Sequence, residues 1–230
     1  MRGLFITFEG IEGSGKSTQL ARLASRLRLQ GHAVDTTREP GGTMMGDKIR
    51  SLLLDVRHTD LRPKAELLLY LAGRSQHLQT VIQPNLAKGM IILCDRFSDA
   101  TIAYQGYGRG LRTSPDFQRL IRYAADGLQP NLTLLLDLDP RTALARVANR
   151  GEVNRLDRET LAFHTRVRRG YRELARRAPS RITIIDATRS EDEVAGQIER
   201  IVRDRLGGPS ARRRHLKTGA APGISSKAAP

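Results

Sequence analysis

The stretch Gly10-Ile11-Glu12-Gly13-Ser14-Gly15-Lys16-Ser17 fits the pattern G-x-x-x-x-G-K-[S/T], and these residue types at this spacing make a polyphosphate cradle. The glycines let the backbone curl until successive N–H groups point inward. The Lys16 ammonium can then reach the β- and γ-phosphates, and the Ser17 hydroxyl can hold a Mg²⁺ ion. Such a loop works only between a strand that fixes its entry and a helix whose positive dipole end faces the anion. The flanks supply both: residues 4–8 are an apolar run that reads as a buried strand, and 17–30 carry helical spacing. The expected ligand is a nucleoside triphosphate, held from Gly10 through Thr18.

Further residues of chemical interest stand where apolar runs end. Residues 90–94 read as a strand closing in Asp95-Arg96, and 132–137 read as another closing in Asp137. Either aspartate could carry the metal through water. Arg96 tips the choice to Asp95, because an arginine beside the metal carboxylate can grip a phosphate. Arg38 ends the strand expected over 33–37, before Pro40-Gly41-Gly42, which forbid helix. That end is where ligands sit in open α/β sheets, although a turn arginine at the surface has the same pattern. Tyr70 and Arg74 are four apart in the long helix expected over 63–86, so they share a face. By pattern alone they read as core plus a rim charge, with a binding pair as the alternative. Residues 150–157, with Arg150 and Arg155, read as a mobile flap or an ordinary charged loop.

The elements that must position these groups alternate strand and helix. Residues 46–54 are a short amphipathic segment, and helices are expected from Ser114-Pro115-Asp116 onward, from Pro140, from about 157 to 177, and over 190–206, the last with a Ser190/Glu193 capping box. A fifth strand is expected over 182–186. This is an α/β pattern for one domain over residues 1–206. Residues 207–230 are Gly, Pro, Ala, Ser and basic residues that cannot form a core, and a disordered basic tail is expected. The lone Cys94 excludes an internal disulfide and reads as core packing. No apolar run of eighteen residues exists and the amino terminus shows no signal-peptide pattern, so a cytoplasmic protein without a membrane partner is expected. The net charge of +15 would concentrate any anion. No zinc spacing, stacking motif or helix-turn-helix accompanies it, and no specific nucleic acid is expected.

Assembled, these residues resemble the thymidylate kinase family over about residues 3–206. The resemblance rests on the stretch Phe8-Glu9-Gly10 through Ser17, on Arg38-Glu39-Pro40-Gly41-Gly42, on Asp95-Arg96-Phe97 with Ala103-Tyr104-Gln105-Gly106, on Arg150-Gly151-Glu152 with Arg155, and on Ile185-Asp186-Ala187-Thr188. It implies a P-loop fold with a five-stranded parallel sheet in the order 2-3-1-4-5, helices on both faces, and phosphoryl transfer from ATP to dTMP with Mg²⁺ at Ser17 and Asp95. It further implies that Tyr70 stacks on thymine, Arg74 meets O4, Thr101 faces N3 and Tyr104 crowds C2′ of the sugar. Gln105 counts among the substrate-binding residues. Arg38 and Arg96 would hold the dTMP phosphate, with Glu9 near the 3′-hydroxyl and metal. Arg150 and Arg155 would close over ATP as a lid spanning about 149–157. Because the phosphate loop has no arginine between Gly10 and Gly15, the transition-state cation would come from that lid, as in the bacterial form. A homodimer is also implied. Ala100 departs from the family's usual Ser. A kinase for another nucleotide and an ATP-dependent nucleic-acid-binding protein are the competing readings.

Overall fold

The computed structural model describes residues 3–149 and 153–207. Five strands, β1 Leu4–Glu9, β2 Val34–Arg38, β3 Ile91–Asp95, β4 Leu132–Asp137 and β5 Ile182–Asp186, form one sheet in the order β2-β3-β1-β4-β5. All four pairings are parallel, which is the expected order. Parallel strands need covering on both faces. The period of two along β1 divides its side chains accordingly: Ile6 and Phe8 join one apolar cluster and Phe5 another. The Phe5 face continues through Thr7, which shares a 2.8 Å hydrogen bond with Thr133 of β4, to Glu9. That face therefore turns from apolar to polar toward the carboxyl edge of the sheet, where the ligand-facing loops lie.

Helix α1, Lys16–Leu29, leaves the phosphate loop directly and buries Leu20, Leu23, Ala24 and Leu27, a three-and-four spacing that lays one stripe on the sheet. Gly31, at φ 83°, ends it with a bond from its N–H to Arg28 O. Helix α2 spans Met44–Leu54 and α3 spans Pro63–His77. The long helix expected over 63–86 is continuous in outline but widens to a π turn over Leu78–Ile82 before α4, Gln83–Ala87. After β3 come the single turn α5, Ser98–Thr101, and a second π segment, Ile102–Gly108.

Two helix starts differ from expectation. Helix α6, Phe117–Ala124, begins at Phe117 rather than at Ser114-Pro115, with Asp116 as its first flank and no side-chain cap. Helix α7 spans Pro140–Ala148, and α8, Leu161–Arg177, begins at Leu161 rather than near 157, because Thr160 Oγ1 accepts from Phe163 N and caps it there. Helix α9, Glu191–Gly207, has the expected capping box: Ser190 N and Oγ donate to Glu193 Oε2, and Glu193 N donates back to Ser190 Oγ. Cys94 is buried. Among the described residues no helix is long and apolar enough to cross a membrane. Arg150 and nearly all of the expected tail lie outside the described residues.

Candidate active site

The carboxyl ends of β1, β2 and β3 open into a cavity of about 860 Å³, within the size range of small-molecule sites. One end is the phosphate loop. Gly13 and Gly15 take φ of 76° and 90°, left-handed values that glycine alone adopts freely. A Cβ on Gly10 would collide with Leu136 O and one on Gly13 with Ala143 O, whereas at Gly15 it would meet nothing. Gly13, Gly15, Lys16, Ser17 and Thr18 line the cavity with Glu12. Gly10, Ile11 and Ser14 shape the loop from within, and Ser14 Oγ is buried without a partner. Lys16 Nζ donates to Ile11 O at 2.8 Å, inside the loop's own ring. Burial first, and then the nearby Arg96, bring its pKa down to about 8.

Ser17 Oγ donates to Asp95 Oδ2 at 2.7 Å. This hydroxyl and carboxylate are hard oxygen donors at the loop mouth, which suits Mg²⁺, an ion that takes few protein ligands and completes its shell with water and phosphate. The rival carboxylate is committed elsewhere: Asp137 pairs with Arg168 of α8 through bonds of 2.7 and 3.0 Å.

Beside Asp95, Arg96 has φ 74°, a strained position for a side-chain-bearing residue and of the kind that clusters at functional sites. Its guanidinium donates to Gly10 O, Tyr171 OH, Glu12 Oε1 and Tyr104 OH, which leaves Nε without a hydrogen bond among the described residues. Tyr104 OH in turn donates to Glu12 Oε2 at 2.6 Å. Burial works against the Glu12 charge, but Arg96 and Lys16 outweigh it and hold that carboxyl below its ordinary pKa. Glu9, expected near the sugar and metal, is fully buried behind the cavity wall. Its oxygens accept from Phe97 N and Tyr171 OH. Burial, reinforced by Asp99, pushes its carboxyl up to about 8.

Arg38 lines the cavity, half exposed and 3.4 Å from Asp47. Arg50 of α2 lines it too, anchored through Pro40 O at 3.0 Å. Sequence reasoning missed Arg50, and the available signal was a second cation one helix beyond the Pro40-Gly41-Gly42 turn.

The far end is lined by Tyr70, Arg74, Thr101 and Gln105. Arg74 is 2 % exposed. Its Nε donates to Glu39 Oε2 at 2.8 Å and its Nη2 to Phe97 O at 3.1 Å. Glu39 is braced from behind by His77 Nδ1 at 3.1 Å, and His77 Nε2 meets Thr37 Oγ1. The rim-charge alternative for Arg74 is thereby set aside, since this arginine is fully buried and paired. Arg74 Nη1 and Thr101 Oγ1 remain buried polar atoms without partners. Orphans of this kind are costly unless a ligand satisfies them.

Arg155 is not brought to the phosphate loop. Its Nη2 lies 2.6 Å from Glu66 Oε2, its Nε donates to Leu53 O, and it is about a tenth exposed. A fully buried carboxylate draws the nearest cation, so Arg155 stands here as a structural ion pair. Glu39, Glu66 and Tyr171 were also missed, because each acts through a partner distant in sequence.

A family model described as thymidylate kinase matches residues 8–198. Thymidylate kinase from Deinococcus radiodurans is 49% identical over 204 residues, covering 89% of this chain and 98% of that protein. The Trichlorobacter lovleyi thymidylate kinase is 50% identical over 212 residues, covering 90% and 100%. Among solved structures, the crystal structure of thymidylate kinase from Ehrlichia chaffeensis superposes with a TM-score of 0.71 at 34% identity, covering 88% of this chain and 99% of that one.

Proposed function

This chain belongs to the thymidylate kinase family, and on that premise we propose that it transfers the γ-phosphoryl group of ATP to dTMP, giving dTDP and ADP. The observation that carries this reading is the pair of buried orphans, Arg74 Nη1 and Thr101 Oγ1, at one end of a cavity whose other end is the phosphate loop. A nucleotide base with hydrogen-bonding atoms along its edge would satisfy both, Arg74 by giving to an acceptor and Thr101 by turning its hydroxyl to give or to take, while its phosphate reached the cations. Residues 1–206 form the catalytic unit on this reading.

The main difficulty of the reaction is bringing two anions into line. Arg38, Arg50 and Arg96, all lining the cavity, would neutralise the dTMP phosphate. Lys16 would leave Ile11 O for the β- and γ-phosphates, and the loop N–H groups would hold the rest of the chain. A dTMP phosphate oxygen then attacks Pγ, forming the new O–P bond. The bond from Pγ to the β,γ-bridging oxygen breaks, and its electron pair leaves with ADP. No general base is needed, because the attacking oxygen is already ionised. Ser17 and Asp95 would hold Mg²⁺, which when bound neutralises charge across the β- and γ-phosphates. Tyr70 would cover the base and Tyr104 the sugar.

A homodimer is part of this reading, supported by exposed Met44, Leu68 and Tyr123 on α2, α3 and α6, and a cytoplasmic location goes with these substrates. The test is a coupled assay of ADP formation with dTMP, dUMP, dCMP and dGMP, with and without EDTA. Fastest turnover with dTMP, abolished by EDTA, is expected. Preference for another monophosphate would overturn the assignment.

A further inference from the structure

Glu66 has no assigned role, yet it is the most heavily bonded carboxylate at the base end. It sits on α3 one turn before Tyr70, and its side chain has no exposure. Its Oε1 accepts from Gln105 Nε2 at 2.8 Å and Arg109 Nε at 3.2 Å. Its Oε2 accepts from Arg109 Nη2 at 3.1 Å and Arg155 Nη2 at 2.6 Å. Arg109 is shared with Glu159 at 2.6 Å. Burial opposes the Glu66 charge, but the bonds and charge of Arg109, with Gln105 and Arg155, outweigh it and hold the carboxyl below its ordinary pKa.

An ionised carboxylate only accepts hydrogen bonds. The corner of the Gln105 amide that faces Glu66 must therefore be the NH₂, and the hydrogen-bond network settles an assignment that atomic positions alone do not. The carbonyl corner, Oε1, is turned away from Glu66. Gln105 lines the cavity beside Arg74 and Thr101. Thr101 cannot tell one pyrimidine from another, because a hydroxyl rotates to give or to take. Arg74 Nη1 can only give, and Gln105 Oε1 can only take. Thymine and uracil present O4 as acceptor next to N3–H as donor. Cytosine presents an amine next to a bare N3, the reverse pattern at both atoms.

We propose that Glu66 is a specificity-determining positioning residue: by holding Gln105 Nε2 to itself it presents Oε1 to the ring N3–H, so that the site accepts the uracil-type edge and rejects the cytosine-type edge. This rests on the reading of the cavity as the dTMP site. Arg155, on the same carboxylate, serves to keep it charged and in place.

The test is kcat/KM for dTMP, dUMP and dCMP on the full chain, with dCMP inhibition constants where turnover is too slow. A neutral Glu66→Gln can face Gln105 with either corner and frees that amide to turn over. The dTMP-to-dCMP ratio should then narrow about tenfold, the size expected when one buried hydrogen-bond mismatch is relieved. The dTMP-to-dUMP ratio should stay within about twofold, since those edges are identical. Glu66→Asp, still ionised, should keep most of the selectivity. Gln105→Met should narrow the dTMP-to-dCMP ratio alike, and adding Glu66→Gln to it should change nothing more. Equal losses on all three substrates in Glu66→Gln, or further narrowing in the double variant, would overturn the proposal. Should Glu66→Gln fail to fold, Gln105→Met decides, because it leaves both arginine pairs intact; an unchanged ratio overturns the proposal. A wild-type protein inactive on dTMP would sink the functional reading instead, whereas an active one with unchanged ratios sinks only this inference.

Discussion

The two ends of the cavity are built by different means. At the phosphate end, most groups come from one continuous loop plus the Asp95-Arg96 pair, joined by Arg38 and Arg50, and they act by charge and by backbone N–H direction. At the base end, Arg74 and Gln105 come from separate segments, and each is aimed by a carboxylate far from it in sequence: Glu39 for Arg74 and Glu66 for Gln105. Charge attracts an anion from many directions, so the residue type nearly suffices. Edge recognition needs a lone pair or a proton at one place, so a buried partner must lock it.

The comparison can be broken most severely at the phosphate end. Lys16→Ala should lower kcat about a thousandfold or more, since it removes charge aimed at the transferring group, while the melting temperature moves by only a few degrees. Its ammonium is already disfavoured by burial, so the fold does not depend on it. Full activity in a folded Lys16→Ala protein would contradict the assignment of this loop.

At the base end the same style of change should act on stability as well as on activity. Arg74→Ala leaves Glu39 buried without its main countercharge, and loss of one partner of a buried pair costs about 3–5 kcal/mol. A drop in melting temperature on the order of 10 °C is expected, with most dTMP turnover lost. Loss of activity at unchanged stability would mean that Glu39 does not depend on Arg74.

Arg155 decides to which end the 153–158 segment belongs. As Glu66's partner it should behave like a base-end residue: Arg155→Ala should destabilise by about 3 kcal/mol, while kcat changes less than about tenfold. A hundredfold fall in kcat at constant stability would place Arg155 on the γ-phosphate instead. The smallest expected effect serves as the control. Ser190→Ala removes the α9 cap and should cost about 1 kcal/mol, read by denaturant midpoint, with kcat and base preference untouched.

The same division explains what was legible in the sequence. The phosphate loop, its strand and its helix could be read directly because all their determinants are contiguous. The strand order came from the resemblance, and the sheet has it. In the sequence, Asp95 stands ahead of Asp137 only through its neighbour Arg96; the commitment of Asp137 to Arg168, thirty-one positions further on, could not be read there. The π segments at Leu78–Ile82 and Ile102–Gly108 leave no local signature, because any helix-forming run can widen when its side chains pack better that way. Ser114-Pro115 looked like a helix start, yet the chain takes a turn there first and α6 begins at Phe117, which buries into the core. Glu39 and Glu66 look like surface acids until their arginines are seen around them.

The most direct test of the account compares dUMP with dCMP on the unmodified protein. The two share phosphate and sugar, and their bases have nearly the same shape, so the ratio of kcat/KM reads the base edge alone. Two mismatched buried hydrogen bonds predict a preference for dUMP of at least about a hundredfold. A ratio near one would contradict the claim that Arg74 and Gln105 read the base by hydrogen-bond direction.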